Sequence, residues 1–204
     1  NWHLEETVDK SGRLLPLDYD FDHWETVTVP SCWNLARREY FYYESSGIYT
    51  RKFGYEKQNQ GERVFLKIGA ASYHAKVFLN KKFLGSHDGA STPFYIEITY
   101  ALEADNRIMV NVENRRQPDR VPMHNTDWFN YGGLYRDVEL IRVSATYLQE
   151  FYCQLKKASV FSTLELRASV DGIDKNGQGI LEVEELGLRQ TVTFQDGKAS
   201  AEIS

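Results

Sequence analysis

The chain has 204 residues, with 24 Lys and Arg against 29 Asp and Glu, a formal net charge of −5 at pH 7. Hydrophobic residues make up 42% and aromatics 14%, enough apolar material to exclude intrinsic disorder. The basic residues are scattered among acids, which argues against a nucleic-acid surface, and no apolar run is long enough to cross a bilayer as a helix.

The opening residues 1–10 are polar, so no signal peptide is expected. The only methionines are Met109 and Met123, which marks the chain as processed or cut from a longer protein and leaves its compartment open between cytoplasmic and exported. Short strands with turn chemistry between them then dominate. Val27, Thr28 and Val29 stop at Pro30, and 48–53 follows Gly47. In 64–68, Val64, Leu66 and Ile68 alternate against Phe65 and Lys67. Strands are also predicted over 75–79, 94–98, 108–112 and 138–143. Period-two alternation with turns about every ten residues specifies an antiparallel all-β sandwich. Helix signals are confined to a turn or two over 35–43, with Asn34 as a possible cap, and one turn over 99–104.

All four tryptophans, Trp2, Trp24, Trp33 and Trp128, precede a boundary expected near 144–149. Plainer amphipathic runs follow over 148–155, 163–170, 179–186, 192–194 and 199–203. They suit the first strands of an immunoglobulin-like sandwich, in a stretch too short for a whole module. Cys32 and Cys153 lack metal or redox spacing and read as two buried free thiols, with a disulfide between them as the alternative.

No self-sufficient active-site motif is present. His3, His23, His74, His87 and His124 lie far apart, and His87-Asp88 beside Gly89 reads as a loop pair rather than as metal ligands. The segment that stands out runs from Asn125 through Asp127, Trp128, Phe129, Asn130 and Tyr131 to Gly132-Gly133. A carboxylate beside aromatic faces can bind paired sugar hydroxyls, whereas composition alone favours a packed aromatic loop. A second cluster, Tyr40-Phe41-Tyr42-Tyr43 between Glu39 and Glu44, is too aromatic for one strand face. It suits a domain contact or, less well, a sugar platform.

Six stretches carry a resemblance: 24–33, ending Pro30-Ser31-Cys32-Trp33; 47–53; 77–87; 89–94; 106–112; and Gly133-Leu134-Tyr135-Arg136-Asp137-Val138. In this order and spacing they resemble the N-terminal region of glycoside hydrolase family 2, the β-galactosidase and β-glucuronidase family. The resemblance implies a jelly-roll, galactose-binding-domain-like sugar-binding domain over 1–145. The first strands of an immunoglobulin-like domain would follow over 146–204. It implies retaining hydrolysis by two glutamates on a (β/α)₈ barrel elsewhere, so no catalytic residue, metal or cofactor is expected in this chain. It implies a β-glycoside as substrate and a homo-oligomeric parent. It also places Asp127 at the family's substrate-contacting aspartate. Trp128, Phe129, Asn130 and Tyr131 would shape that loop, and Arg136 would pin it by an ion pair or by bonds to backbone carbonyls. Phe129 to Gly133 sits closer to the β-glucuronidase version of the loop. The family's β-galactosidases use a further loop asparagine, for which 37–46 offers no match.

Overall fold

A computed structural model describes residues 2–6, 20, 22–157, 162–172 and 174–203. Most of the polar opening 1–10, and the side chain of His3, lie outside the described residues. The chain divides into two compact units, 1–142 and 143–204. The sequence pattern puts the boundary near 144–149, and the resemblance puts the division at 145/146.

The first unit is a jelly-roll β-sandwich. Its larger sheet takes β1 (Trp2–Glu6), β2 (Thr26–Val27), β3 (Ser46–Gly54), β5 (His74–Leu79), β6 (Lys82–Asp88) and β8 (Asp105–Glu113) in the order β2-β1-β3-β8-β5-β6. The smaller sheet is β7 (Phe94–Glu97), β4 (Arg63–Ile68) and β9 (Val138–Val143), ordered β7-β4-β9. β3 and β8 pair antiparallel over their whole lengths, from Ser46 opposite Glu113 to Gly54 opposite Asp105.

The pairing follows from the alternation. In β4, Val64, Leu66 and Ile68 are buried while Arg63, Phe65 and Lys67 are only partly covered. In β8, Ile108, Val110 and Val112 join those residues in one core with Trp33, Tyr49, Val77, Leu79 and Leu134. Met109, between them in sequence, points the other way and packs with Trp24, Ile48 and Phe78. The larger sheet is thus covered on both faces, which explains why four consecutive β3 residues, Gly47 to Thr50, are buried. The β5–β6 hairpin turns on Asn80 and Lys81, both at positive φ (48° and 70°), as a two-residue type I′ turn requires.

The predicted helical turns are α1 (Trp33–Ala36) and a 3₁₀ turn, Arg38–Tyr40. Asn34 is not their cap: Cys32 occupies that position without a side-chain capping bond, its thiol donating instead to Asn34 Oδ1, and Asn34 is buried within α1. The 99–104 turn reduces to an Ala101 amide bonding the Ile98 carbonyl at 2.8 Å. His87 and Asp88 are not a loop pair, because β6 runs on to Gly89, whose φ of 137° ends it. As strand neighbours they face apart: Asp88 meets His74 Nδ1 at 2.8 Å, and His87 meets Thr92 Oγ1 at 3.0 Å.

The second unit is a partial immunoglobulin-like sandwich, of five strands among the described residues. β10 (Thr146–Leu155), β11 (Leu164–Gly172) and β14 (Lys198–Ile203) form one sheet in the order β10-β11-β14, and β12 (Gly177–Val183) pairs with β13 (Leu188–Phe194). Leu166, Ala168, Leu181, Val192, Ala199 and Ile203 form its core. The run predicted over 179–186 ends early, in a 3₁₀ turn at Glu184–Leu186 closed by Gly187 at φ 61°. Both cysteines are free; Cys32 is half-buried, and Cys153 is exposed rather than buried because β10 is uncovered on both faces from Leu148 to Leu155. No helix among the described residues is long and apolar enough to cross a membrane.

Candidate functional site

The two aromatic clusters that the sequence separates by more than eighty residues meet at one end of the first unit. A cleft of about 340 Å³ there is lined by Phe41, Tyr42, Glu44, Arg116, Asp127 and Trp128, among others. Phe129 is the hub of the rings around it. Its centroid lies 5.0 Å from Phe41, 6.4 Å from Tyr42 and 4.8 Å from Tyr131. Tyr40 and Tyr43 turn inward against the core, whereas Tyr42 is 84% exposed and Phe41 39%. Trp128 and Tyr131 are also exposed, at 59% and 47%. Phe41, Tyr42 and Trp128, three exposed rings lining one cleft, leave a surface suited to stacking on an apolar ligand face.

A buried amide network seats the loop. Asn34, 1% exposed, donates from Nδ2 to the carbonyls of Tyr40, Phe41 and Tyr43 at 3.0, 3.2 and 3.1 Å, and its Oδ1 accepts the Gly132 amide at 2.8 Å. One side chain therefore ties the two clusters together. Asn114, at the end of β8, donates to the carbonyls of Tyr43 and Asn130 and accepts the Ser45 amide. Asn130, 4% exposed, donates back to the Asn114 carbonyl at 2.5 Å.

Gly132 has no room for a side chain. A Cβ there would overlap the Trp33 indole and lie 2.6 Å from Asn114 Nδ2. Gly133 sits at φ 115°, and its carbonyl accepts the Ser72 amide at 3.1 Å. Beneath it, Tyr49 stacks on Trp33 at 6.3 Å. Burial pushes the Tyr49 phenol well above its ordinary pKa, only partly offset by the Leu134 amide beside it.

Asp127 sits at the rim of the cleft. Its carboxylate is exposed and has no hydrogen bond or ion pair to the described residues. The backbone around it is held by Arg116, whose Nη1 donates to the Thr126 carbonyl at 3.0 Å and Nη2 to the Trp128 carbonyl at 2.9 Å. Arg116 Nε meets Glu44 Oε1 at 2.9 Å. Upstream, Met123 and Thr126 bond reciprocally, each at 3.1 Å, closing a tight turn.

Arg136, named from sequence as the loop's pin, works elsewhere. It donates to the Ser91 carbonyl at 2.8 Å, while Tyr135 bonds the Ala90 carbonyl next door. Bracing Asp127 falls to Arg116, which sequence reasoning passed over, together with Asn34 and Asn114. Among the described residues no three His, Cys, Asp or Glu side chains gather as a metal site would require.

Residues 5–144 match the model of the sugar binding domain of glycosyl hydrolases family 2. The chain belongs to glycosyl hydrolase family 2. Among curated relatives it is 31% identical to a β-glucuronidase from Bacteroides fragilis, over 59% of this chain and 18% of that protein. It is 29% identical to a β-galactosidase from Thermoanaerobacter pseudethanolicus, over 69% of this chain and 20% of that one. The solved structure of Bifidobacterium dentium β-glucuronidase complexed with coumarin-3-O-glucuronide superposes with a TM-score of 0.78 at 26% identity. The match covers 91% of this chain and 38% of that structure. A Bacteroides uniformis β-glucuronidase shares the fold across 100% of this chain, with a TM-score of 0.77 at 22% identity. This family 2 chain thus spans about a fifth of the length of these curated relatives.

Proposed function

We propose that this chain is the substrate-contacting, non-catalytic N-terminal region of a retaining β-glycosidase of the β-glucuronidase or β-galactosidase type. Asp127 would accept hydrogen bonds from sugar hydroxyls at the cleavage point. The catalytic glutamates would lie on a barrel carried elsewhere in the protein, and the intact enzyme would be a homo-oligomer. The observation that carries this reading is an exposed carboxylate left without a partner while the backbone on both sides of it is fixed. A carboxylate kept for structure would be spent on an internal donor. Trp128, Tyr42 and Phe41 supply apolar faces in the same cleft, and the chemistry of a sugar, hydroxyls at its edge and C–H groups on its face, fits both.

Hydroxyl contacts that tighten as the sugar flattens toward an oxocarbenium ion contribute to turnover as well as to affinity. A screen with chromogenic β-glucuronide, β-galactoside, β-glucoside and β-mannoside tests the division of labour. The 204-residue chain alone is expected to cleave none of them, and the intact enzyme is expected to prefer one of the first two. Turnover by this chain, abolished by a single carboxylate substitution within it, overturns the reading.

A further inference from the structure

We propose that Arg116 is the positioning residue of this site, a guanidinium clamp that fixes the pose of Asp127. The inference rests on the reading of Asp127 as a substrate contact and names the device that presents it.

The two carbonyls that Arg116 holds belong to Thr126 and Trp128, the residues on either side of Asp127. With the 126–127 peptide unit before Asp127 and the 128–129 unit beyond it tied to one planar group, the swing of the backbone at Asp127 is restricted at both ends of the segment. The third contact, Nε to Glu44, anchors the clamp to the segment just before β3. Arg116 is half-buried and Glu44 somewhat more open, so neither is a freely solvated surface charge. Glu44 has a second effect. It neutralises the guanidinium, which would otherwise draw in the neighbouring Asp127 carboxylate and consume its acceptor sites. The arrangement keeps Asp127 placed yet unspent, as recognition of neutral hydroxyls requires. Lysine cannot substitute, because a single ammonium cannot fork across two carbonyls and a carboxylate spread over a planar fan.

The test has two arms. In this chain, amide relaxation is measured at Asp127, Trp128 and Phe129 for wild type, Arg116→Met and Arg116→Lys, the last keeping the charge should the first fail to fold. Order parameters are expected to fall from about 0.85 toward 0.6 in both variants, with the rest of the unit unchanged. In the intact glycosidase, Arg116→Lys is expected to lower kcat by about 10- to 100-fold with KM nearly unchanged. Combined with Asp127→Ala it is expected to cost no more than Asp127→Ala alone, because both changes remove one function. Unchanged loop order in Arg116→Lys, or additive kinetic losses, overturns the clamp. Full activity of Asp127→Ala overturns the substrate-contact reading instead, so the two failures are told apart.

Discussion

Replacing Asn34 by alanine probes the network that joins the two aromatic segments. The side chain is buried and makes four bonds to backbone groups besides accepting the Cys32 thiol, but not every partner is orphaned by its loss. The Tyr40 carbonyl keeps the Tyr43 amide at 2.9 Å, and the Tyr43 carbonyl keeps Trp33 Nε1 and Asn114 Nδ2. The Phe41 carbonyl and the buried Gly132 amide lose the side-chain partner that Asn34 supplies. Two such groups at about 1–3 kcal/mol each, with Phe41 near enough to solvent to be rehydrated, place the loss at about 2–4 kcal/mol. Alanine's better helix propensity returns only about 0.5 kcal/mol. Urea unfolding followed by tryptophan fluorescence reads the first unit alone, because all four tryptophans lie within it. With a slope of about 2 kcal/mol per molar urea, the midpoint is expected to fall by about 1–2 M. Asn34→Asp is expected to be at least as damaging, since a carboxylate would accept from Gly132 but face three carbonyls. A midpoint within error of wild type for either variant would refute the reasoning.

Three further outcomes follow from the structure. Gly132→Ala drives a methyl into the Trp33 ring and is expected to cost about 1–3 kcal/mol by the same unfolding assay; an unchanged midpoint would show that the loop can lift off Trp33. Trp128→Ala removes a ring that is 59% exposed, so stability is expected to stay within about 0.5 kcal/mol while kcat/KM of the intact enzyme falls; unchanged kinetics would remove its stacking role. Asp22 is held at a pKa of about 2 by its Lys52 and Arg107 hydrogen bonds, against 3.8 unperturbed. A depressed folded pKa gives stability that is present above pH 3.8 and lost as the pH falls toward 2. Asp22→Asn is therefore expected to be less stable than wild type at pH 6, with the gap narrowing as the pH falls from 3.8 through about 2; a constant gap across acid titration would contradict the pairing.

The strands were legible because their two faces meet different environments. Val64, Leu66 and Ile68 against Arg63, Phe65 and Lys67 is a pattern that only a half-covered sheet needs. Asp127 stands out as a short acid among rings and glycines, but composition alone favours a packed loop there, and the role proposed for it comes from the family resemblance. Arg116 was not legible, because its partners at the loop are backbone carbonyls, which carry no residue identity, and its carboxylate partner lies 72 residues away. The same holds for Asn34: its position suggested a helix cap, and only the folded chain brings Gly132 to its oxygen and three carbonyls to its nitrogen. The exposure of Cys153 depends on whether the faces of β10 are covered by other elements, a property of packing rather than of local pattern.

The most direct test of the substrate-contact role is steady-state kinetics of Asp127→Ala and Asp127→Asn in the intact glycosidase on its preferred chromogenic substrate. A charged hydrogen bond to a hydroxyl, at about 1.5–3 kcal/mol, corresponds to a loss of about 10- to 100-fold in kcat/KM, expected mostly in kcat and smaller for asparagine than for alanine. Kinetics indistinguishable from wild type in both variants would contradict the role assigned to Asp127.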